Sequence, residues 1–136
     1  MKTITGTHTA VYRASGGRFG GRINGMPVLL LTAKGRKSGK SRTTPLLYVR
    51  DGDTIVVVGS NGGSDYVPAW WLNLRSNPEA EIELGRARTR VSARKASPAE
   101  RAQLWPEFTS RFAAYAKYAT RTAREIPVVI LTPRSS

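Results

Sequence analysis

At 136 residues the chain has the size of one domain, long enough for a real core and too short for two. A formal charge of +13 implies an acidic partner, whether nucleic acid, an anionic membrane or a multiply charged small ligand. The absence of cysteine excludes disulfides and thiolate chemistry. A single histidine, His8, cannot build a histidine–cysteine metal site and is a poor base for a serine triad.

No apolar run approaches the roughly 18 residues of a membrane-spanning helix. Lys2 is followed by no apolar signal core, so the expected location is the cytoplasm. Nine carboxylates are scattered through turns and helix flanks without forming an obvious acid/base pair. An enzymatic reading therefore places the hard chemistry on a bound cofactor.

Residues 1–25, rich in Gly, Thr and Arg, predict an N-terminal segment with at most a short helix around residues 9–14; residues 26–136 form the domain proper. Residues 28–32 predict a first strand buried on both faces, because its apolarity is unbroken. A loop bracketed by Gly35 and Gly39 follows, and residues 34–42 carry Lys34, Arg36, Lys37, Lys40 and Arg42. Five cations so close repel one another and favour a polyanionic ligand, whereas a solvated charged hairpin is the plainer reading. The nucleotide-binding P-loop does not fit. Its first glycine would fall on Lys34, and Thr43, Thr44 and Pro45 cannot start the helix it requires.

Residues 43–50 predict a second strand and residues 54–59 a third, joined by the Asp51-Gly52-Asp53 turn. Residues 60–65, with Gly62 and Gly63, read as a loop able to offer backbone donors to a ligand's edge. Pro68 opens a helix over 69–76, with Trp70 and Leu74 on one face. Two strands follow at 79–84 and 87–96. Along the second, Arg86, Arg88, Arg90 and Arg94 share one side by alternation, as on a solvent edge or an anion track. Ser97, Pro98 and Glu100 make a capping box. The helix after it carries an aromatic stripe from Trp105 and Phe108 through Phe112 to Tyr115 and Tyr118. Such a stripe is usually core, but the two tyrosine hydroxyls need partners and are the better site candidates. Residues 127–132 predict a last buried strand.

The order β-β-β-α-β-β-α-β has too few helices for a doubly wound sheet and fits a small antiparallel barrel, mainly β with flanking helices. The stretches LLLTAKGRKSGKSRTTPLLYVRDGD, VVVGSNGGSDYVPAWWLNLRSNPEAEIELG and WPEFTSRFAAYAKYATRTAREIPVVILTP together resemble the deazaflavin-dependent nitroreductase family of actinobacteria over residues 26–133. That resemblance implies an FMN-binding-like split β-barrel holding coenzyme F420, a deazaflavin with an anionic phosphate and oligoglutamate tail. It assigns Arg36, Lys37 and Arg42 to the phosphate and tail. Ser60, Asn61, Gly62, Gly63 and Trp70 would line the cofactor, with Tyr115 and Tyr118 over the substrate pocket.

The chain departs from the family at Asn61, where members often carry lysine, and at Phe112, where a further pocket tyrosine is common. The implied reaction is hydride transfer to a quinone such as menaquinone, a nitroaromatic or a conjugated enone, with peripheral contact to an anionic membrane left open. The alternatives are an FMN- or haem-binding barrel, or a basic nucleic-acid-binding module. The last leaves the Gly62-Gly63 loop and the tyrosines unused and is disfavoured.

Overall fold

The computed structural model describes residues 22–23, 26–60 and 66–134. The short helix expected near residues 9–14 and the loop positions Asn61, Gly62 and Gly63 lie outside the described residues. Eight strands and three helices occur among those described: β1 (Arg22–Ile23), β2 (Met26–Lys34), β3 (Ser41–Leu47), β4 (Val49–Asp51), β5 (Thr54–Val58), α1 (Ala69–Ser76), β6 (Glu79–Leu84), β7 (Ala87–Lys95), α2 (Pro98–Arg111), α3 (Ala114–Arg121) and β8 (Val128–Pro133).

All strand pairings are antiparallel, in the order β1-β2-β6-β7-β8-β5-β4, with β3 also on β2. The expected strand over 43–50 is in fact two strands split at Tyr48. The first half, β3, pairs with β2 (Leu31↔Thr44), and the second, β4, pairs with β5 (Val49↔Val56). One stretch of chain thus serves both ends of the sheet and curls it into a split barrel. The break at Tyr48 follows from this change of partner.

Alternation along the strands produces two cores. Leu29, Leu31, Ile55, Val57, Val129 and Leu131 point into the barrel, where Trp70, Trp71 and Leu74 of α1 plug it. Val56, Val58, Val128 and Ile130 point outward and are covered by Leu104, Phe108 and Phe112. Val28, Leu29, Leu30 and Leu31 are all buried, as their unbroken apolarity predicts.

The arginine strand needs correcting. β7 is no edge strand, since β6 flanks it on one side and β8 on the other. Its arginines do alternate outward, but two of them meet acids: Arg88 lies 3.7 Å from Glu83 and 4.0 Å from Glu81 across the β6–β7 pair. Arg94 grips Glu100 through two 2.7 Å hydrogen bonds. The capping box is present, with Ser97 Oγ accepting from the Glu100 N–H and Glu100 Oε1 accepting from the Ser97 N–H. Arg94, and then the Ser97 N–H, hold the Glu100 carboxyl down at about 2.

The C-terminal helix also departs from expectation. It breaks at Phe112 (φ −127°, ψ 78°), whose N–H still bonds the Phe108 carbonyl. Phe112 is 4% exposed and stacks edge-on to Phe108 at 4.9 Å. Neither Phe112 nor Ala113 is a helix breaker, so the break reflects tertiary packing overriding local propensity. It frees α3 to take its own direction.

Candidate functional site

The cationic loop closes the β2–β3 hairpin beyond the Lys34↔Ser41 pair. The Gly35 N–H bonds the Lys40 carbonyl at 2.8 Å, and the Gly39 N–H bonds the Gly35 carbonyl at 2.9 Å. A Cβ on Gly35 would lie 3.0 Å from Ser38 Oγ and 3.1 Å from the Lys40 oxygen, while Gly39 sits at φ +72°. Both glycines are therefore required by the tight turn. The turn leaves Arg36, Lys37, Lys40 and Arg42 exposed. Among the described residues, none of the five loop cations forms an ion pair.

Arg36 is not simply adrift in solvent. Asn73 of α1, 5% exposed, accepts from both the Arg36 backbone N–H (3.1 Å) and its Nη1 (2.9 Å). One buried carbonyl oxygen thus fixes the loop and one guanidinium nitrogen. The sequence reading missed Asn73. Its signal was an amide three residues after Trp70, on the helix face that Trp70 and Leu74 bury.

A second cluster forms where β5 ends. Ser60 is 5% exposed, and its side chain lies near enough to Tyr115 of α3 to bear on the phenol's ionisation. The Tyr115 ring meets Phe108 at 4.9 Å, Tyr118 at 5.2 Å and Phe112 at 6.1 Å. Burial, then the neighbouring Tyr118, push the Tyr115 hydroxyl up to about 12 against a smaller opposing effect of Ser60. Tyr115 accordingly stays protonated and can donate a hydrogen bond at any physiological pH. Tyr118 is half-buried, with the Arg121 guanidinium 5.6 Å over its ring.

Helix α1 links the two clusters. A Cβ on Gly59 would meet Pro68, the N-cap of α1, at 3.3 Å. Asn73 lies five residues further, about 7–8 Å along the axis. Trp70, between them, is 8% exposed and packed edge-to-face with Trp71 at 6.5 Å, so it belongs mainly to the barrel core. The structure thus places Arg36, Lys37 and Arg42 on one loop and brings Ser60, Tyr115 and Tyr118 together at the strand end. Phe112, at the position of the family's further tyrosine, packs in the outer core without a hydroxyl to offer.

These features suit a ligand with a planar ring and an anionic tail. Among the described residues the loop cations have no counter-charge, and the hydroxyl and aromatic cluster lies at the other end of α1.

A family model described as F420H(2)-dependent quinone reductase matches residues 4–133, most of the N-terminal segment included. The chain is 44% identical over 131 residues to the F420H(2)-dependent quinone reductase Rv1261c of Mycobacterium tuberculosis, covering 93% of this chain and 88% of the relative. A solved structure described as the F420-H2 dependent reductase FDR-A superposes with a TM-score of 0.71 at 35% identity, over 77% of this chain and 93% of that one. HutZ, a haem storage protein from Vibrio cholerae, shares the fold alone, with a TM-score of 0.58 at 14% identity over 96% of this chain and 90% of that one. On the strength of the family match and the close relative, this chain belongs to the F420H(2)-dependent quinone reductase family, a family of oxidoreductases whose cofactor is coenzyme F420.

Proposed function

We propose that this protein reduces a quinone with F420H2, binding the cofactor between the cationic loop and the Ser60–Tyr115 cluster. The carrying observation is the set of loop cations that have no counter-charge among the described residues, tied through Asn73 and α1 to a protonated phenol. When bound, reduced F420 supplies a hydride, a two-electron donor matched to quinone reduction. Arg36, Lys37 and Arg42 would hold the phosphate and oligoglutamate tail by charge-assisted hydrogen bonds. Ser60 and the adjoining Asn61, Gly62 and Gly63 would line the ring, with Trp70 as a further cofactor-binding residue.

Tyr115 donates its hydroxyl hydrogen to the acceptor's oxygen, where negative charge grows as the quinone is reduced. A phenol held near 12 is a reluctant acid, so the net proton comes from solvent through that hydrogen bond. Tyr118 and the ring of Phe108 limit water at the same place. A lipid-soluble quinone such as menaquinone is the proposed acceptor. A protein of charge +13 suits encounter at the anionic cytoplasmic face of a membrane. No helix among the described residues is long and apolar enough to cross one.

The test is a fluorescence titration. F420 should bind at least about tenfold more tightly than FMN, a gap of about 1.4 kcal/mol. Equal or tighter FMN binding would count against this reading and favour a flavin-binding barrel. A second expectation separates cofactor from acceptor. Tyr115→Phe and Tyr118→Phe should each cost about 0.5–1.5 kcal/mol in kcat/KM for the quinone, one hydrogen bond's worth, with F420 affinity nearly unchanged. Wild-type quinone kinetics in both variants would reduce the two tyrosines to packing residues.

A further inference from the structure

The segment between α3 and β8 carries Arg124, a half-buried cation to which the reaction above gives no task. Its Nη2 donates to the Gly59 carbonyl at 3.1 Å and to the Ser60 carbonyl at 2.9 Å, 64 residues away in sequence for Ser60. The Gly59 N–H in turn donates to the Pro127 carbonyl at 2.9 Å. Both polar groups of Gly59 are thus tied to the chain that follows α3. A Cβ there would come within 2.9 Å of Pro127 Cγ, so the strand end sits in a crevice with no slack. The trans peptide fixes the Ser60 N–H opposite the Gly59 carbonyl, so Arg124 also sets where that donor points. Arginine suits the task, because a planar, permanently charged guanidinium stays a donor at every working pH.

We propose that Arg124 is a positioning residue: it clamps the Gly59 and Ser60 carbonyls and thereby holds Ser60 in register with Tyr115. This rests on the proposed role of Tyr115 at the acceptor. The clamp joins the strand that supplies Ser60 to the segment leaving the helix that supplies Tyr115, the two elements the cluster needs in fixed relation. Without the clamp the Ser60 backbone can turn and carry its side chain away from Tyr115, whose ring Phe108 and Phe112 hold in place.

The experiment is a double-mutant cycle on the full chain, with Arg124→Met, Tyr115→Phe and the double variant, and with Arg124→Lys as the conservative rescue. Melting temperature and hydrogen exchange of the Gly59 and Ser60 amides are followed beside quinone kinetics. Arg124→Met is expected to lower kcat about tenfold in the wild-type background and less than twofold in the Tyr115→Phe background, with the KM for F420H2 within twofold throughout. Arg124→Lys, retaining a cationic donor, should recover at least a third of the lost kcat.

Equal losses in both backgrounds would overturn the proposal, since Arg124 would then act independently of Tyr115. If Tyr115→Phe alone has wild-type kinetics, the proposed role of that phenol fails, and hydrogen exchange decides the clamp. Exchange of the Gly59 and Ser60 amides at least tenfold faster in Arg124→Met supports it, and unchanged exchange overturns it. Should Arg124→Met not fold, the same comparison is made with Arg124→Gln, which lacks the charge and the reach, and for which unchanged exchange and kinetics in both backgrounds overturn the proposal.

Discussion

Arg36→Ala is expected to weaken tailed F420 by about 1.5–3 kcal/mol, roughly 10- to 150-fold in Kd, while a tail-less deazaflavin loses far less. A charge-assisted hydrogen bond contributes only when its anionic partner exists, so the difference between the two ligands isolates the contact. Asn73 makes the prediction sharper. It grips the Arg36 backbone and Nη1 with one oxygen, so the guanidinium is held before the ligand arrives. Asn73→Ala should therefore act in the same direction by a smaller factor. Asn73→Asp keeps the acceptor but sets a carboxylate against the guanidinium, and tailed F420 should weaken again.

Salt lowers affinity for the tailed ligand in any case, because the Debye length falls from about 10 Å at 0.1 M to about 3 Å at 1 M. Salt alone cannot separate a specific grip from diffuse attraction. Arg88→Ala is the control, since that arginine faces Glu81 and Glu83 on the sheet. Equal losses from Arg36→Ala and Arg88→Ala, read by fluorescence titration, would return the loop to an ordinary solvated hairpin.

Phe108→Ala should be the most damaging single change to the fold. Phe108 is 1% exposed, and its ring contacts Phe112 and Tyr115, both at 4.9 Å. Truncating a buried phenylalanine costs about 3–5 kcal/mol through lost burial and the cavity left behind. In a domain of this size that lowers Tm on the order of 10–20 °C. The same cavity removes the ring that backs Tyr115, so quinone turnover should fall further than the folded fraction accounts for. Thermal melts beside kinetics normalised to folded protein check both parts. A drop in Tm with full activity per folded molecule would mean that Tyr115 needs no backing from α2.

The residues that revealed most in sequence were those whose chemistry is local. Gly35 and Gly39 bracket a turn that crowds a side chain at the first and takes a positive φ at the second, and the cations in and around it advertise an anion. Ser97, Pro98 and Glu100 specified a helix start that the structure reproduces bond for bond. What escaped depends on partners distant in the chain. The split at Tyr48 arises because β3 and β4 face different strands, which no periodicity encodes. The break at Phe112 has no glycine or proline to mark it. Alternation places the arginines of β7 on one side, as on a solvent edge or an anion track, but the glutamates opposite them lie on β6, and β7 has a strand on each side rather than an open edge. Asn73 and Arg124 are polar residues whose meaning lies 37 and 64 residues away.

The central claim is that F420H2 and a quinone meet on this barrel, and anaerobic oxidation of F420H2 by a soluble quinone tests it most directly. The purified protein should consume one F420H2 for each quinone reduced, with turnover that requires both. Tyr115→Phe should slow that turnover about 2- to 13-fold, as expected from one lost hydrogen bond. Oxidation no faster than in the absence of protein, or equal turnover with reduced FMN as the donor, would contradict the account.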